Sequence, residues 1–533
     1  MRELQVLDVT LRDGGCVNNF NFGQLYMNKI LAAQEAAEID IIELGYIDEK
    51  NGSEKGRTKF VDEKVIAQHF LNNKKTKTQY VVMMDYGKFN VDNLGTRHQD
   101  GIDGIRLAFH KKNRFDIIAI GKKIIEKGYD LYIQPMITLS YSDDELLKLV
   151  NTVNSELTDA RAFYIVDSFG EMRPNDMKRM LYLVDNNLVP QMKLGFHSHN
   201  NLQMSYSNAI EMLNFLSNRD FIIDSSVMGM GKGAGNLNTE LLLEHLNMYY
   251  RKAYRIDPLL RLIDEVINQL HSEFYWGYAP EYYLSATNHC TPSYASYFYN
   301  KHMLPIDQVG ELLSLIDEEK KISFDEIYAE ELYRFYNASK TVDDKEVVLE
   351  LKTIFENNTV LLIAPGKTVG KEVKRIKEYM KKNNVISIGL NPTLELAYDY
   401  VLTTRVDVYK KAVLSGWNII VPSNISKGGR GNIKVVNYSN WIVVDDKTHD
   451  SSAVISLNLL KKCNVRRIIL AGFDGFSIDI NENYYDPYLR HPFNAEQVEE
   501  DNSFYREFIS QLMREGITIE FLTPSRYKMD SNL

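Results

Sequence analysis

The sequence predicts an α/β protein in two parts, an N-terminal closed (β/α)8 TIM barrel with a helical annex and a C-terminal Rossmann-like α/β unit. Three observations predict it. The chain has 533 residues, several times the usual domain length of about 150, so more than one core is expected. Over the first 250 residues short apolar runs alternate with longer amphipathic stretches, the pattern of strands crossing to helices in a parallel sheet. The alternation stops near residue 250 and returns after residue 358.

In chain order, the strand candidates of the first part are 4–10, 39–45, 80–84, 104–108, 131–137, 162–167, 193–199 and 221–226. Helix-like segments such as 22–38, 116–127, 143–155, 175–186 and 202–218 fill most of the gaps. Eight such units in about 250 residues have the size and order of a closed barrel, and an open doubly wound sheet is the alternative. The expected divisions are 1–250 for the barrel, 251–350 for annex and linker, and 351–533 for the second unit. The annex is helical and aromatic, as in Glu273-Phe274-Tyr275-Trp276-Gly277-Tyr278, and the polar stretches 317–321 and 337–345 mark an expected hinge. Strand candidates of the second unit are 360–364, 385–389, 417–421, 441–444, 467–471 and 517–522, with helical segments 452–463 and 497–515 between them.

Composition excludes several classes of function. Hydrophobic residues at 44% and charged residues at 25% fit a globular protein and leave no room for wholesale disorder. Lys+Arg 62 against Asp+Glu 72 gives a net charge of −10, which offers no overall attraction to nucleic acid or to an anionic membrane. Cys16, Cys290 and Cys463 form no Cys-x-x-Cys pair, so neither a disulfide framework nor a cysteine zinc site is indicated, and a reducing cytoplasm is the expected location. There is no secretory leader pattern and no uncharged apolar run of about 18 residues, so no membrane span is expected. The expected assembly is a homo-oligomer.

In a barrel of this class the active site lies where the strands end at their C-terminal side. His197 and His199, at i and i+2 on the seventh strand, point to the same side because strand side chains alternate. If that side is the interior, both imidazoles reach one metal, and Asp13 after the first strand completes a shell of two nitrogens and one oxygen. A shell without thiolate favours Mg2+ or Mn2+ over Zn2+ or Co2+. The alternative is a pair of ordinary interior or surface histidines. Arg12 has the permanent charge to hold an enolate oxygen, or else forms a structural ion pair at the barrel mouth. Glycines in Gly229-Met230-Gly231-Lys232-Gly233-Ala234-Gly235-Asn236 let backbone approach a ligand closely.

Taken together, Asp8-x-Thr10-Leu11-Arg12-Asp13-Gly14, His197-x-His199-Asn200 and Gly231-x-Gly233-Ala234-Gly235-Asn236 resemble the DRE-TIM metallolyase superfamily of 3-hydroxy-3-methylglutaryl-CoA lyase, isopropylmalate synthase and 4-hydroxy-2-oxovalerate aldolase. The resemblance covers roughly residues 1–300. Gly277-Tyr278-Ala279-x-x-Tyr282 and the Gly-Ala-Gly-Asn form are nearer to the 4-hydroxy-2-oxovalerate aldolases. What this implies is aldol cleavage or addition through a pyruvate enolate bound to a divalent metal, with Asp13, His197 and His199 as ligands and Arg12 stabilising the enolate. One departure stands out: those aldolases place a catalytic histidine where this chain has Cys16. The base is therefore sought among Cys16, His110, Tyr46, Tyr278 and Tyr282, and the acceptor aldehyde is expected to be larger and more polar than acetaldehyde. The rivals are acyl-CoA-dependent Claisen condensation of the isopropylmalate synthase type and an inactive barrel that scaffolds the C-terminal unit.

In the C-terminal unit, Pro365-Gly366-Lys367-Thr368-Val369-Gly370 reads as strand, glycine turn and helix start, a generic place for phosphate, or as a plain turn. With Ile388-Gly389-Leu390-Asn391, Ser451-Ser452-Ala453 and Ile469-Leu470-Ala471-Gly472-Phe473-Asp474 it loosely resembles sialyltransferase-like bacterial glycosyltransferases. That resemblance implies a nucleotide sugar near Gly366, Asn391, Ser452 and His491, and the alternative is a noncatalytic sugar or nucleotide module. It also links the barrel to a sugar-derived aldehyde and to surface-polysaccharide precursors.

Overall fold

A computed structural model of the chain describes residues 2–50, 56–71, 77–301, 304–392, 394, 396–426, 428, 431–489 and 495–528. Its contacts divide the chain into two units, Met1–Ser296 with Lys321–Ser323, and Tyr297–Lys320 with Phe324–Leu533.

The first unit is built on eight parallel strands: β1 (Leu4–Asp8), β2 (Ile41–Ile47), β3 (Gln79–Asp85), β4 (Gly104–Phe109), β5 (Asp130–Pro135), β6 (Ala162–Asp167), β7 (Lys193–Ser198) and β8 (Phe221–Ser225). Each pairs with the next, and β1 pairs with both β2 and β8, so the sheet closes on itself. The open sheet is thereby excluded. Strands β4 and β6 are buried at every residue, because helices cover their outer face and side chains fill the barrel on the other. The interior packs Leu7, Val9, Ile41, Val81, Tyr132 and Tyr164 into an apolar plug. Helices outside follow simple local rules. In Asp143–Glu156, Ser142 and Glu145 form a reciprocal N-terminal cap, and Leu146, Leu149, Val150 and Val153 recur at helical spacing on the buried face.

At the end of β2 the register with β3 shifts between Glu43 and Tyr46. Gly45 makes this kink with φ +147°, and a Cβ there would lie 2.0 Å from the Thr58 carbonyl. A short added strand, Lys59–Phe60, pairs with this kinked end and sets Lys59 opposite Tyr46.

The second unit holds seven parallel strands: β9 (Thr359–Ile363), β10 (Val385–Leu390), β11 (Tyr400–Leu402), β12 (Ile419–Pro422), β13 (Ile433–Val436), β14 (Arg467–Ala471) and β15 (Thr518–Phe521). Their order is β13-β12-β11-β10-β9-β14-β15, so the winding reverses at β9, between β10 and β14. Open sheets of this kind form a crevice at that reversal.

Two expectations need correction. The segment expected as one annex, 251–350, is shared: Asp257–Leu262, Asn268–Glu273 and Pro280–Thr287 belong to the first unit, whereas Ile306–Ser314, Glu326–Ala338 and Lys345–Phe355 belong to the second. Leu351 and Phe355 are buried in the second core, and Tyr333 donates to Asp450 at 2.8 Å, so the later helices have their partners there. The stretch 441–444 is not a strand of the main sheet. Trp441 is buried with its indole N–H on Asp344, and only Val443–Val444 pairs, antiparallel, with Thr448–His449. Apolar content there reflects a packed turn.

Candidate active site

The barrel mouth is assembled from the ends of β1, β2, β4, β7 and β8. Just past β1 the Val9 carbonyl accepts from the amides of Arg12, Asp13 and Gly14, which curls the chain over the strand end. The curl leaves both the Arg12 and Asp13 side chains buried. Period-two alternation turns His197 and His199 to the same side. Ligand atoms of Asp13, His197 and His199 lie within 4.8 Å of one another, and all three residues are buried. The two imidazole rings stand perpendicular, 5.4 Å apart.

A chain of alternating charges holds this cluster. Arg12 donates to Asp13 at 2.7 Å and to Glu43 at 2.6 Å. The same Glu43 oxygen accepts from Arg106 at 2.7 Å, and Arg106 also donates to Asp224. That Asp224 oxygen lies 2.9 Å from Nδ1 of His197. Asp13–Arg12–Glu43–Arg106–Asp224–His197 is thus one continuous path of charged hydrogen bonds, with Arg106 fully buried between two carboxylates. Such outer partners fix the orientation of ligating groups.

The loop after β8 closes the other side. Asn236 donates to Asp13 at 2.8 Å, the Lys232 amide lies 3.4 Å from the same oxygen, and the Lys232 carbonyl lies 3.2 Å from Nδ1 of His199. Gly231 permits this approach: a Cβ there would lie 2.2 Å from the Asn236 amide nitrogen and 2.6 Å from Asp13. Nη2 of Arg12 and Oδ1 of Asn236 belong to the buried polar atoms that have no hydrogen-bond partner among the described residues, as do Oε1 of Glu43 and Oδ1 of Asp224.

Electrostatics fit a cation-binding cluster. Burial opposes ionisation of Asp13, but His199, Arg12, His197 and the Asn236 hydrogen bond outweigh it and hold the carboxylate below its usual range. Burial pushes His199 down to about 4, so its imidazole is neutral and able to donate a lone pair at neutral pH. Two nitrogens and a carboxylate oxygen within one small sphere are the donor set a divalent ion requires.

Of the other expected residues, Cys16 follows Asp13 on the same turn and is open to solvent. Crowding by protein atoms and the charge of Asp13 nevertheless push its thiol up to about 12. Tyr46 has the Arg12 guanidinium 5.9 Å over its ring. His110, at the end of β4, is half-buried, and burial lowers its pKa. Tyr278 is 53% exposed, and Tyr282, half-buried, hydrogen-bonds Ser296. The structure therefore brings together Arg12, Asp13, Cys16, His197 and His199, while the described hydrogen bonds of the annex tyrosines stay within the annex.

Sequence reading noticed Glu43 only as a polar residue near the end of its strand, without a role, and missed Arg106 and Asp224 as supports and Asp85 at the end of β3, whose carboxyl burial pushes up to about 6. The signal was available: each is an ionisable residue in an otherwise apolar strand, as in Ile41-Ile42-Glu43-Leu44 and Phe221-Ile222-Ile223-Asp224.

The second unit has its own cavity, of about 340 Å3, at the C-terminal ends of β9, β10 and β14. Gly366, Asn391 and Ser452 all line it. Asn391 serves as a brace, donating to Ser452 at 3.2 Å and to Thr404 at 3.3 Å while accepting from Thr403 at 2.8 Å. The phosphate place expected after Gly366 is taken: Asp474 accepts from the Thr368 amide at 2.6 Å and from its hydroxyl at 2.5 Å, at the start of the helix Lys367–Lys382. Lys301 and Arg405 line the cavity but are paired with Glu330 and Asp407. Tyr484, Tyr505 and Tyr527 form an aromatic wall, and burial raises the pKa of Asp450 and Asp501. His491 lies outside the described residues.

Comparison with known proteins bears on the first unit. The HMGL-like family model matches residues 111–262. Over 248 residues the chain is 31% identical to 4-hydroxy-2-oxovalerate aldolase 2 of Comamonas testosteroni, covering 45% of this chain and 68% of that protein. The chain belongs to the DRE-TIM metallolyase superfamily. Another relative, 4-hydroxy-2-oxovalerate aldolase of Pseudoalteromonas translucida (strain TAC 125), is 27% identical over 296 residues, covering 53% of this chain and 83% of that one. Among solved structures, the N-terminal domain of a Bacteroides vulgatus protein described as a candidate aldolase aligns with TM-score 0.48 at 27% identity, over 55% of this chain and 96% of that one. Within this DRE-TIM member, the motif residues that suggested the superfamily are the ones gathered at the mouth. Among the described residues no helix is long and apolar enough to cross a membrane.

Proposed function

We propose that the first unit is a pyruvate aldolase dependent on a divalent metal, which joins pyruvate to an aldehyde or cleaves a 4-hydroxy-2-oxo acid. The observation that carries this reading is the buried Asp13, His197 and His199 cluster with an unpartnered Arg12 Nη2 beside it. A divalent cation held by these three residues, Mg2+ or Mn2+, would supply positive charge opposite the oxygen that becomes negative on enolisation. Arg12 offers Nη2 to that oxygen while its other nitrogens stay fixed by Asp13 and Glu43, so the donor is held before the reaction begins. Removal of one such donor typically costs about 10²–10³ in rate. With its thiol held near 12, Cys16 stays protonated at neutral pH and shapes the acceptor side of the mouth. Asp85, pushed up to about 6, and half-buried His110 are the groups proposed to take the proton. Tyr278 and Tyr282 are proposed to border the substrate from the annex.

The test is methyl exchange. Metal-loaded protein in deuterated water should exchange the methyl protons of pyruvate, and Arg12→Lys should slow the exchange at least a hundredfold. Coenzyme A release from acetyl-CoA and a 2-oxo acid, without pyruvate exchange, would support the Claisen reading instead. Absence of exchange with metal absent from the native protein would leave the scaffold reading.

For the second unit we propose a sugar-binding crevice, with a nucleotide sugar as the candidate donor at Gly366, Asn391 and Ser452. Its aromatic wall and carboxylates suit the polyhydroxylated end of such a ligand. This is also the basis for a sugar-derived aldehyde and a role in polysaccharide precursors. Saturation-transfer NMR with nucleotide sugars and free sugars tests it.

A further inference from the structure

The acceptor side of the barrel mouth carries more positive charge than an aldol addition to a neutral aldehyde requires. Arg12 is held by Asp13 and Glu43 through two of its nitrogens and has Nη2 left for the enolate, but two lysines flank the same turn with no ion pair among the described residues. Lys59 projects from the added strand with its ammonium 4.4 Å from the centre of the Phe20 ring. That ring belongs to the turn, for the Phe20 amide donates to the Gly15 carbonyl at 2.6 Å. On the other side Lys232 follows Gly231, its backbone fixed against Asp13 and His199, its exposed ammonium 3.4 Å from the Thr291 hydroxyl. Cys16 lies on the turn between Asp13, which the Lys232 amide faces, and Phe20, which Lys59 covers, and is open to solvent. Of the nearby carboxylates, Asp13 is held by Arg12 and Asn236.

We infer that Lys59 and Lys232 form an anion-binding site for the acceptor, so that the aldehyde this enzyme uses carries a carboxylate or phosphate distal to its carbonyl. The inference rests on the aldolase reading. Pyruvate loses a methyl proton to the base, and its methyl carbon then forms a bond to the aldehyde carbon. The carbonyl π pair passes to the aldehyde oxygen, which takes a proton. The distal anion is unchanged and is held by the two ammonium groups. Two cations at such a mouth also raise the encounter rate of an anion, an effect that salt weakens.

The experiment uses the full-length metal-loaded protein with pyruvate and matched aldehydes, succinic semialdehyde against butanal and glyceraldehyde 3-phosphate against glyceraldehyde. The expected kcat/KM ratio of anionic to neutral acceptor is at least tenfold in one of the two pairs, which assigns carboxylate or phosphate, and falls at least threefold between 20 mM and 500 mM salt. Lys59→Met with Lys232→Met should cut that ratio at least tenfold. Should the double variant not fold, the salt dependence of the unaltered protein and Lys232→Gln alone decide the matter. Pyruvate methyl exchange in the unaltered protein without any anionic preference overturns this inference and leaves the aldolase reading standing, whereas absence of exchange overturns the aldolase reading itself. A preference that survives in the double variant also overturns it.

Discussion

The barrel mouth and the C-terminal crevice both lie where parallel strands end, yet they use charge in opposite ways. In the mouth, buried charges form one connected path: Glu43 accepts from Arg12 and Arg106, Asp224 accepts from Arg106 and lies 2.9 Å from Nδ1 of His197, and the path begins and ends on residues of the candidate metal cluster. In the crevice, charges are settled locally and in pairs, Asp474 on a helix start, Asp450 between the hydroxyls of Tyr333 and Tyr438, Lys301 on Glu330. A connected path preorganises a reaction centre, since moving one member disturbs the rest. Local pairs leave a cavity wall that fits a polar guest without committing a free cation to it.

The largest effect tests the end of the path. His197→Ala should remove stoichiometric metal and lower pyruvate exchange by at least about 10³, read by elemental analysis and NMR; unchanged metal content would break the distinction between the two sites. Next comes its middle. Arg106→Met leaves Glu43 and Asp224 short of a buried partner and should cost about 3–5 kcal/mol in urea unfolding of the first unit, far more than any single paired charge in the crevice.

A smaller effect concerns pH. Burial raises the Asp85 carboxyl from its ordinary value near 3.8 to about 6, so the folded state binds its proton more tightly than the unfolded state. Its contribution is full below about pH 4 and is lost as pH rises through 6. Stability should therefore decline across that window by on the order of 1 kcal/mol, after allowance for partial solvation, and Asp85→Asn should remove this part of the slope. The smallest effect sharpens the crevice side. Asp474→Ala removes one helix cap and should lower stability by about 1 kcal/mol, with pyruvate exchange unaltered.

Much of the mouth was legible in the sequence because its ligands sit in short local patterns. Arg12-Asp13 is one turn and His197-x-His199 is one strand, so alternation sets the two histidines on one side, and the expected closed barrel brings the ends of its strands, with Asp13, to the same mouth. The supports were harder to read, since Glu43, Arg106 and Asp224 meet only when the sheet closes, and no local spacing links β2, β4 and β8. The division of the annex was hidden for a similar reason: amphipathic helices announce a buried face but not the core that covers it. In the second sheet β11, of three residues, was too short to stand out, and the apolar 441–444 imitated a strand because a packed turn also needs Trp441 and its neighbours inside.

The carboxylate of Asp474 gives the crevice a built-in competitor. It already satisfies the Thr368 amide and hydroxyl, so an anionic group arriving at the start of the Lys367–Lys382 helix meets an occupant of its own charge and must wait for that side chain to rotate away. The apparent affinity of such a guest is its intrinsic affinity multiplied by the fraction of molecules with Asp474 displaced. A neutral guest would bear no such penalty, and so one aspartate would rank candidate guests of the crevice by charge before any of them touched the aromatic wall.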